Sequence, residues 1–270
     1  MNEKRRPQGR TNHPRQFSRP AEEPPEENEC QLEGRNALQE ALNSGRAIDK
    51  VFIAAGDTDR SLQRLAALAK DAGAVVVSVD RRKLDAMSFT RVHQGVIALA
   101  AAHSYYTIQD ILDEAAARGE APLIVICDEL SDPHNLGAIL RTAECAGAHG
   151  VIIPKRRSVG LTATVAKASA GAVEYMKVAR VTNINQAIGE LKDKGVWIYG
   201  TAAEGSVPMY QADLTGPAAI VIGNEGAGLS QLVRKNCDCL VHIPMKGKIS
   251  SLNASAAASV LLYEAMRQRI

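Results

Sequence analysis

A chain of 270 residues with 46% hydrophobic and 23% charged residues and a net charge of +2 is composed like an ordinary globular protein of about two domains. Its longest apolar runs, such as LIVIC at 123–127, are far too short to span a bilayer, and its charged start lacks the apolar core of a secretory signal. Five cysteines, odd in number and scattered, exclude a disulfide framework, so a reducing, cytoplasmic setting with no membrane partner is expected.

The first segment is a charged tail over 1–29. Lys4, Arg5, Arg6, Arg10, Arg15 and Arg19 face a single acid, Glu3, and are followed by Glu22, Glu23, Glu26, Glu27 and Glu29 with Pro24 and Pro25. With almost no apolar content this stretch is predicted to be disordered. It reads equally as a basic arm for nucleic-acid phosphates or as a solubilising tail.

Order is predicted from near Cys30. A helix, a Gly-containing turn and a strand at 51–54 are followed by a helix over 62–72, with Leu62, Leu65 and Leu68–Ala69 at helical spacing. AVVVSVD and HQGVIALAAAH supply two more strands, the latter opened by Gly95. This small α/β domain, 30–103, holds no catalytic constellation and reads as a binding module. TIQDILDEAAARGEAP is a helix in a linker over 104–120.

From 121 to 270 the rhythm is strand, loop, helix. LIVICDEL, HGVIIPK, VWIYGTAA, AAIVIGNEG and CLVHIPM are predicted strands, with helices around 137–146, 162–170, 184–194 and 229–235 and a last helix near the C-terminus. Near-continuous apolar strands alternating with helices predict a parallel sheet covered on both faces, where ligands bind beyond the carboxyl ends of strands. Cys237 and Cys239 form a C-x-C pair, but no Cys or His pair with zinc-like spacing matches it, so two small strand residues are the reading and no metal is expected.

Polar motifs follow the first, fourth and fifth of these strands. In DPHNLG, Asp132, Pro133 and Asn135 are turn and cap residues, Gly137 permits close backbone approach, and Arg141 sits about one turn into the next helix. GNEGAGLS at 223–230 fails the dinucleotide and P-loop patterns. It offers backbone groups beside one carboxylate, Glu225, which suits a neutral or cationic ligand better than a triphosphate. KGKISSLN places Ser250, Ser251 and Asn253 ahead of a helix that needs one cap, leaving polar groups for a ligand.

Together NLGAILR (135–141), IGNEGAGL (222–229) and IPM-x-G-x-x-x-SLN (243–253) resemble, in order and separation, the three motifs of the SpoU (TrmH-type) RNA ribose 2′-O-methyltransferases. HNLGAILRTAECAGAHGVIIPKRRS and the VHQGV strand are most similar to RlmB-type members, which methylate a guanosine ribose in 23S rRNA. The resemblance implies a SPOUT methyltransferase domain with a C-terminal trefoil knot, an RNA-binding N-terminal domain, a homodimer with the active site near the subunit interface, and S-adenosylmethionine as cofactor without a metal. It places Thr201, Gly223, Ile243 and Leu252 at the cofactor and Asn135, Arg141, Glu225, Ser251 and Asn253 in the catalytic set, with Glu225 orienting Arg141 or Asn135. Arg141 is then either the base for the 2′-proton, a demanding task for an arginine, or the cation that binds the adjacent phosphate and stabilises the oxyanion. A tRNA ribose or an rRNA adenosine as target, and an RNA-binding assembly factor without chemistry, are the competing readings.

Overall fold

A computed structural model describes residues 31–101, 103–203 and 206–270. The charged tail and Cys30 lie outside the described residues.

The first unit runs β1 (Gln31–Glu33), α1 (Arg35–Asn43), β2 (Ile48–Ala54), α2 (Arg60–Asp71), β3 (Val75–Val79), α3 (Arg81–Met87) and β4 (Val96–Ala100). Its sheet has the order β1-β4-β2-β3; only the β2/β3 pair is parallel. Asp59 caps α2 by accepting from the Ser61 amide, and Leu62, Leu65, Ala66 and Ala69 turn one face into the core. β1 and α3 were not evident in the sequence. β1 is three residues of mixed polarity, and α3 buries a single side chain, Leu84, so neither generates a period.

The second unit begins with α4 (Ile108–Arg118) and continues β5 (Leu123–Cys127), α5 (Pro133–Cys145), β6 (Gly150–Pro154), α6 (Ala163–Ala168), β7 (Val178–Val181), α7 (Ile184–Asp193), β8 (Trp197–Thr201), β9 (Val207–Pro208), β10 (Ala218–Ile222), α8 (Gln231–Asn236), β11 (Cys239–His242) and α9 (Ala254–Arg269). Seven parallel strands lie in the order β7-β6-β5-β10-β8-β11-β9, two more than the sequence suggests. The additions have physical reasons to be inconspicuous. β7 carries Arg180 inside its apolar run, and β9 is two residues long.

Successive residues of β5 divide between two cores. Leu123, Val125 and Cys127 pack with α5, α6 and α9, while Ile124 and Ile126 pack with α4 and α7. All five are buried, the expected signature of a strand covered on both sides. The 104–120 stretch is therefore more than a connector. A Thr107–Asp110 capping box opens α4, Gly119 closes it in the left-handed conformation, and Ile108 and Ile111 enter the second core. Gly137 lets α5 lie directly on α6, since a Cβ there would come within 2.5 Å of the Ala168 Cβ.

The two sheets are tied by one buried cluster. Arg180 Nη1 on β7 meets Asp49 Oδ1 on β2 at 2.7 Å, with both side chains no more than 10% exposed. Tyr105 donates its hydroxyl to the same Asp49 oxygen at 2.7 Å, accepts from the Leu161 amide at 2.9 Å, and lies under the Arg180 guanidinium. Burial, and then the Asp49 charge, raise the Tyr105 pKa, so the hydroxyl stays a donor. Arg180 Nη2 also donates to the Asp49 carbonyl, while its Nε is buried with no acceptor.

His149, at the start of β6, has a fixed tautomer. Its Nδ1 accepts from the Leu123 amide at 3.0 Å, so Nε2 carries the proton and donates to Glu120 at 3.0 Å. Burial, which disfavours the charged ring, lowers its pKa below the ordinary 6.5 and outweighs the hydrogen bond to Glu120. A lowered folded value means the unfolded chain takes up the proton first, so stability falls as pH drops below about 6.5. The urea midpoint of the protein is expected to decline from pH 8 to pH 5, and His149→Gln to decline less over that interval. Parallel curves would remove His149 as a source of the pH dependence.

Candidate active site

A strand buried on both faces can present polar groups only at its ends, and here the carboxyl ends of β8, β10 and β11 converge with the start of α9. They enclose a cavity of about 460 Å³, within the usual range for small-molecule sites. Its walls are residues 201–203, 222–228, 241–243, Met245, 250–252 and, from α9, Ala254, Ala257 and Leu261. Among the described lining residues Glu225 is the only acid, and there is neither lysine nor arginine. The lining mixes glycine and alanine with apolar and uncharged polar side chains around one carboxylate, electrostatically suited to a neutral or cationic guest.

The GNEGAGLS loop is held as a tight turn. Asn224 and Gly228 exchange backbone hydrogen bonds at 3.0 and 2.9 Å. The Asn224 side chain accepts from the Gly226 and Ala227 amides and donates to the Glu129 carbonyl. A Cβ on Gly223 would lie 2.4 Å from the Gly228 carbonyl carbon, so the turn closes only over a glycine. Buried Asp128, just past β5, fixes the far end by accepting from the Ser230 amide at 2.8 Å. The sequence reading passed over Asp128 and Asn224. A carboxylate directly after the apolar run LIVIC was the available signal for Asp128.

A hydrogen-bond chain links the three polar loops. Asp132, not Asn135, caps α5, and with Pro133 in the first turn this frees the Asn135 side chain, which is buried. Asn135 Nδ2 donates to Glu225 Oε1 at 2.6 Å, and Asn253 Nδ2 donates to Asn135 Oδ1 at 2.9 Å. Asn253 has a second task. Its Oδ1 accepts from the Ser255 and Ala256 amides and caps α9, so one carboxamide both starts the helix and joins the chain. One turn to two turns further along, Thr142 and Ser259 hydroxyls meet at 3.0 Å and keep α5 against α9.

The residues singled out from the sequence therefore fall into three groups. Thr201, Gly223, Ile243 and Leu252 line the cavity, as do Glu225 and Ser251. Asn135 and Asn253 stand behind that wall and reach it through Glu225. Arg141 does neither. Because α5 starts at Pro133, Arg141 lies about two turns into the helix, not one, on its exposed side and outside the cavity lining.

The cysteines supply no reactive group nearby. Burial, then the Asp128 and Glu225 charges, push the Cys127 thiol up to about 12, and burial first and Asp238 second push Cys237 to about 12. Cys239 lies on β11, but Cys237 ends α8 instead of sharing that strand, and its partly buried thiol donates to the Val233 carbonyl of the same helix. Among the described residues no three His, Cys, Asp or Glu side chains are gathered to hold a metal ion.

Comparison with known proteins accords with this geometry. Residues 122–263 match the model of the SpoU rRNA Methylase family, and residues 31–106 match that of the RNA 2′-O ribose methyltransferase substrate binding domain. A Bacillus subtilis (strain 168) protein assigned to the TrmH family of tRNA/rRNA methyltransferases is 48% identical over 236 residues, spanning 87% of this chain and 94% of the relative. Among solved structures, the SpoU methyltransferase AviRb from Streptomyces viridochromogenes in complex with AdoMet is 27% identical, with a TM-score of 0.56 over 88% of this chain and 90% of that one. An AdoMet-bound rRNA methyltransferase from Sinorhizobium meliloti is also 27% identical, with a TM-score of 0.57 over 89% and 87% of the two chains. With its two sheets, its cavity and both family models in register, the chain is a member of the SpoU family of RNA methyltransferases.

Proposed function

We propose that the chain transfers a methyl group from S-adenosylmethionine to a ribose 2′-hydroxyl of 23S rRNA, on a guanosine. The observation that supports methyl transfer is the union of two features at the carboxyl edge of the sheet, a cavity lined by one carboxylate and the Asn253–Asn135–Glu225 chain behind it, while the guanosine of 23S rRNA rests on the likeness to RlmB-type members. The cavity fits the cofactor in size and charge. Thr201, Gly223, Ile243 and Leu252 would hold it, with the Gly223–Gly228 turn allowing close approach of the main chain. When bound, S-adenosylmethionine supplies an electrophilic methyl group on a sulfonium.

The residues of the chain then have to align a weak nucleophile and accommodate its lost proton. Glu225, held by Asn135, orients the polar rim, and Ser251 faces the same space. Arg141 is the cation of the set, and its role in this reading is to bind the phosphate beside the target ribose and to steady the developing alkoxide. The homodimer implied by the family gives it a route to the chemistry. Arg141 lies on the exposed side of α5, and α9, which packs on α5 through Ser259 and Thr142, exposes Val260 and Tyr263. Pairing two copies across these helices would bring the arginine of one subunit to the cavity of the other. In this reading residues 30–103 grip the RNA, residues 121–270 carry the chemistry, and the C-terminal segment follows the knotted path of the family.

A tRNA ribose is the second reading, favoured by one observation: the Bacillus subtilis relative is assigned to enzymes of tRNA and rRNA alike. Incubation with methyl-labelled S-adenosylmethionine and a mixture of unmodified rRNA and tRNA is expected to place label on a ribose 2′-oxygen of the 23S species. Label in tRNA alone would transfer the proposal to the second reading, and label in neither would overturn it.

Two variants sharpen the test. Gly223→Ala is expected to weaken cofactor binding at least about tenfold by calorimetry, because the added Cβ meets the Gly228 backbone. Arg141→Ala is expected to lower methyl transfer by roughly 10²–10³-fold with cofactor binding unchanged. A near-normal rate would remove Arg141 from the mechanism.

A further inference from the structure

We propose that the loop over residues 88–94 is a stacking platform for an unpaired base of the RNA substrate, with Phe89 as the stacking face and Arg91 as the phosphate contact. This rests on the reading of the chain as an RNA methyltransferase and adds to it where the small domain holds the RNA.

The loop sits at a defined end of its sheet. β2 and β3 run parallel, and their carboxyl ends lead into α2 and α3; β4, antiparallel to β2, begins at that same end with the loop before it. The loop is tied from below. The Glu33 carboxylate accepts from the Ser88 hydroxyl and Phe89 amide, both at 2.7 Å, and from the Thr90 amide and hydroxyl. Burial works to raise the Glu33 pKa, yet these hydrogen bonds outweigh it and hold the group at about 2. Ser88 and Thr90 oxygens accept in turn from the Arg91 and Val92 amides, and buried His93 bonds Asp85 and the Gly95 amide.

With its polar groups directed inward, the loop displays what a solvated turn would hide. Phe89 is 43% and Val92 64% exposed, with exposed Arg91 between them in a left-handed conformation. Arg60 and Arg81–Arg82, at the starts of α2 and α3, are exposed at the same end. An aromatic face beside guanidinium groups matches RNA whose bases are splayed out and whose phosphates need cations, because unpaired bases stack on aromatic rings. A purely apolar protein partner would leave these arginines desolvated and uncompensated.

The test uses the full chain and two fluorescein-labelled RNA transcripts of equal length, one with an internal loop and one fully paired, followed by anisotropy. Phe89→Ala is expected to weaken binding of the looped RNA by about 5- to 100-fold and to leave the paired RNA unaffected, with Phe89→Trp restoring the difference. Arg91→Ala is expected to lower the slope of log affinity against log salt by about 1. Unchanged binding by Phe89→Ala, or equal weakening on both RNAs, would overturn the platform. So would a shift to a smaller species in sedimentation with RNA binding intact, which would make Phe89 a contact between copies. Wild-type methyl transfer to rRNA, measured in parallel, separates the outcomes. If the wild type transfers while Phe89→Ala binds normally, the platform falls and the methyltransferase stands; a wild type that binds no RNA overturns both.

Discussion

A β-strand whose two faces are both buried has no place for a polar side chain along its length. In this protein β5, β6 and β10 are buried at every position, so the chemistry the chain carries is driven to the strand ends. Asp128 follows β5 at once, the GNEGAG turn follows β10, and Ile243 follows β11. The cavity is the space that the ends of β8, β10 and β11 leave between them. The glycines of its β10 turn are a further result of the same constraint, since a loop that must reverse within a few residues between packed layers has little room for large side chains. Gly223 is the extreme case, closed over by the backbone of Gly228.

The polar rim solves a problem of economy in partners. A buried asparagine has both a donor and an acceptor to satisfy, and leaving one unmet would cost about 1–3 kcal/mol. Asn135 gives its donor to Glu225 and its acceptor to Asn253, while Asn253 spends its own oxygen on the start of α9. Each group is satisfied by a residue from a different loop. The arrangement holds only when α5, the β10 turn and α9 are all in place, so the folded layer and the shaped site are one event.

Much of this was legible in the sequence because it is periodic or local. The apolar strands, the amphipathic helices and the order of the three polar loops all repeat or punctuate the chain at short range. KGKISSLN was correctly seen to hold more polar groups than a helix start requires, but the division of labour was not visible. Spacing alone cannot show that Asn253 is both cap and link, or that Asp132 relieves Asn135 of capping. α3, β7 and β9 escaped notice for want of a pattern, with one buried side chain, an arginine within the run, and two residues respectively. The position of Arg141 was misjudged by a turn because the helix was taken to begin at Gly137 instead of Pro133. The Asp49–Tyr105–Arg180 cluster was beyond reach altogether, as nothing in a sequence relates residues so far apart.

That cluster bears on how the protein meets an RNA. Asp49 belongs to the small sheet and Arg180 to the edge of the large one, and their buried contact at 2.7 Å joins the two sheets directly. Tyr105, in the segment between the sheets, is pinned to both sides by its hydroxyl. With three side chains from both sheets and the segment between them in mutual contact, the connection resembles the bow of a caliper, which sets the gap between its jaws. For an RNA methyltransferase, an RNA held by the small sheet must then offer its modified nucleotide at that spacing, and length along a folded RNA becomes something the protein measures.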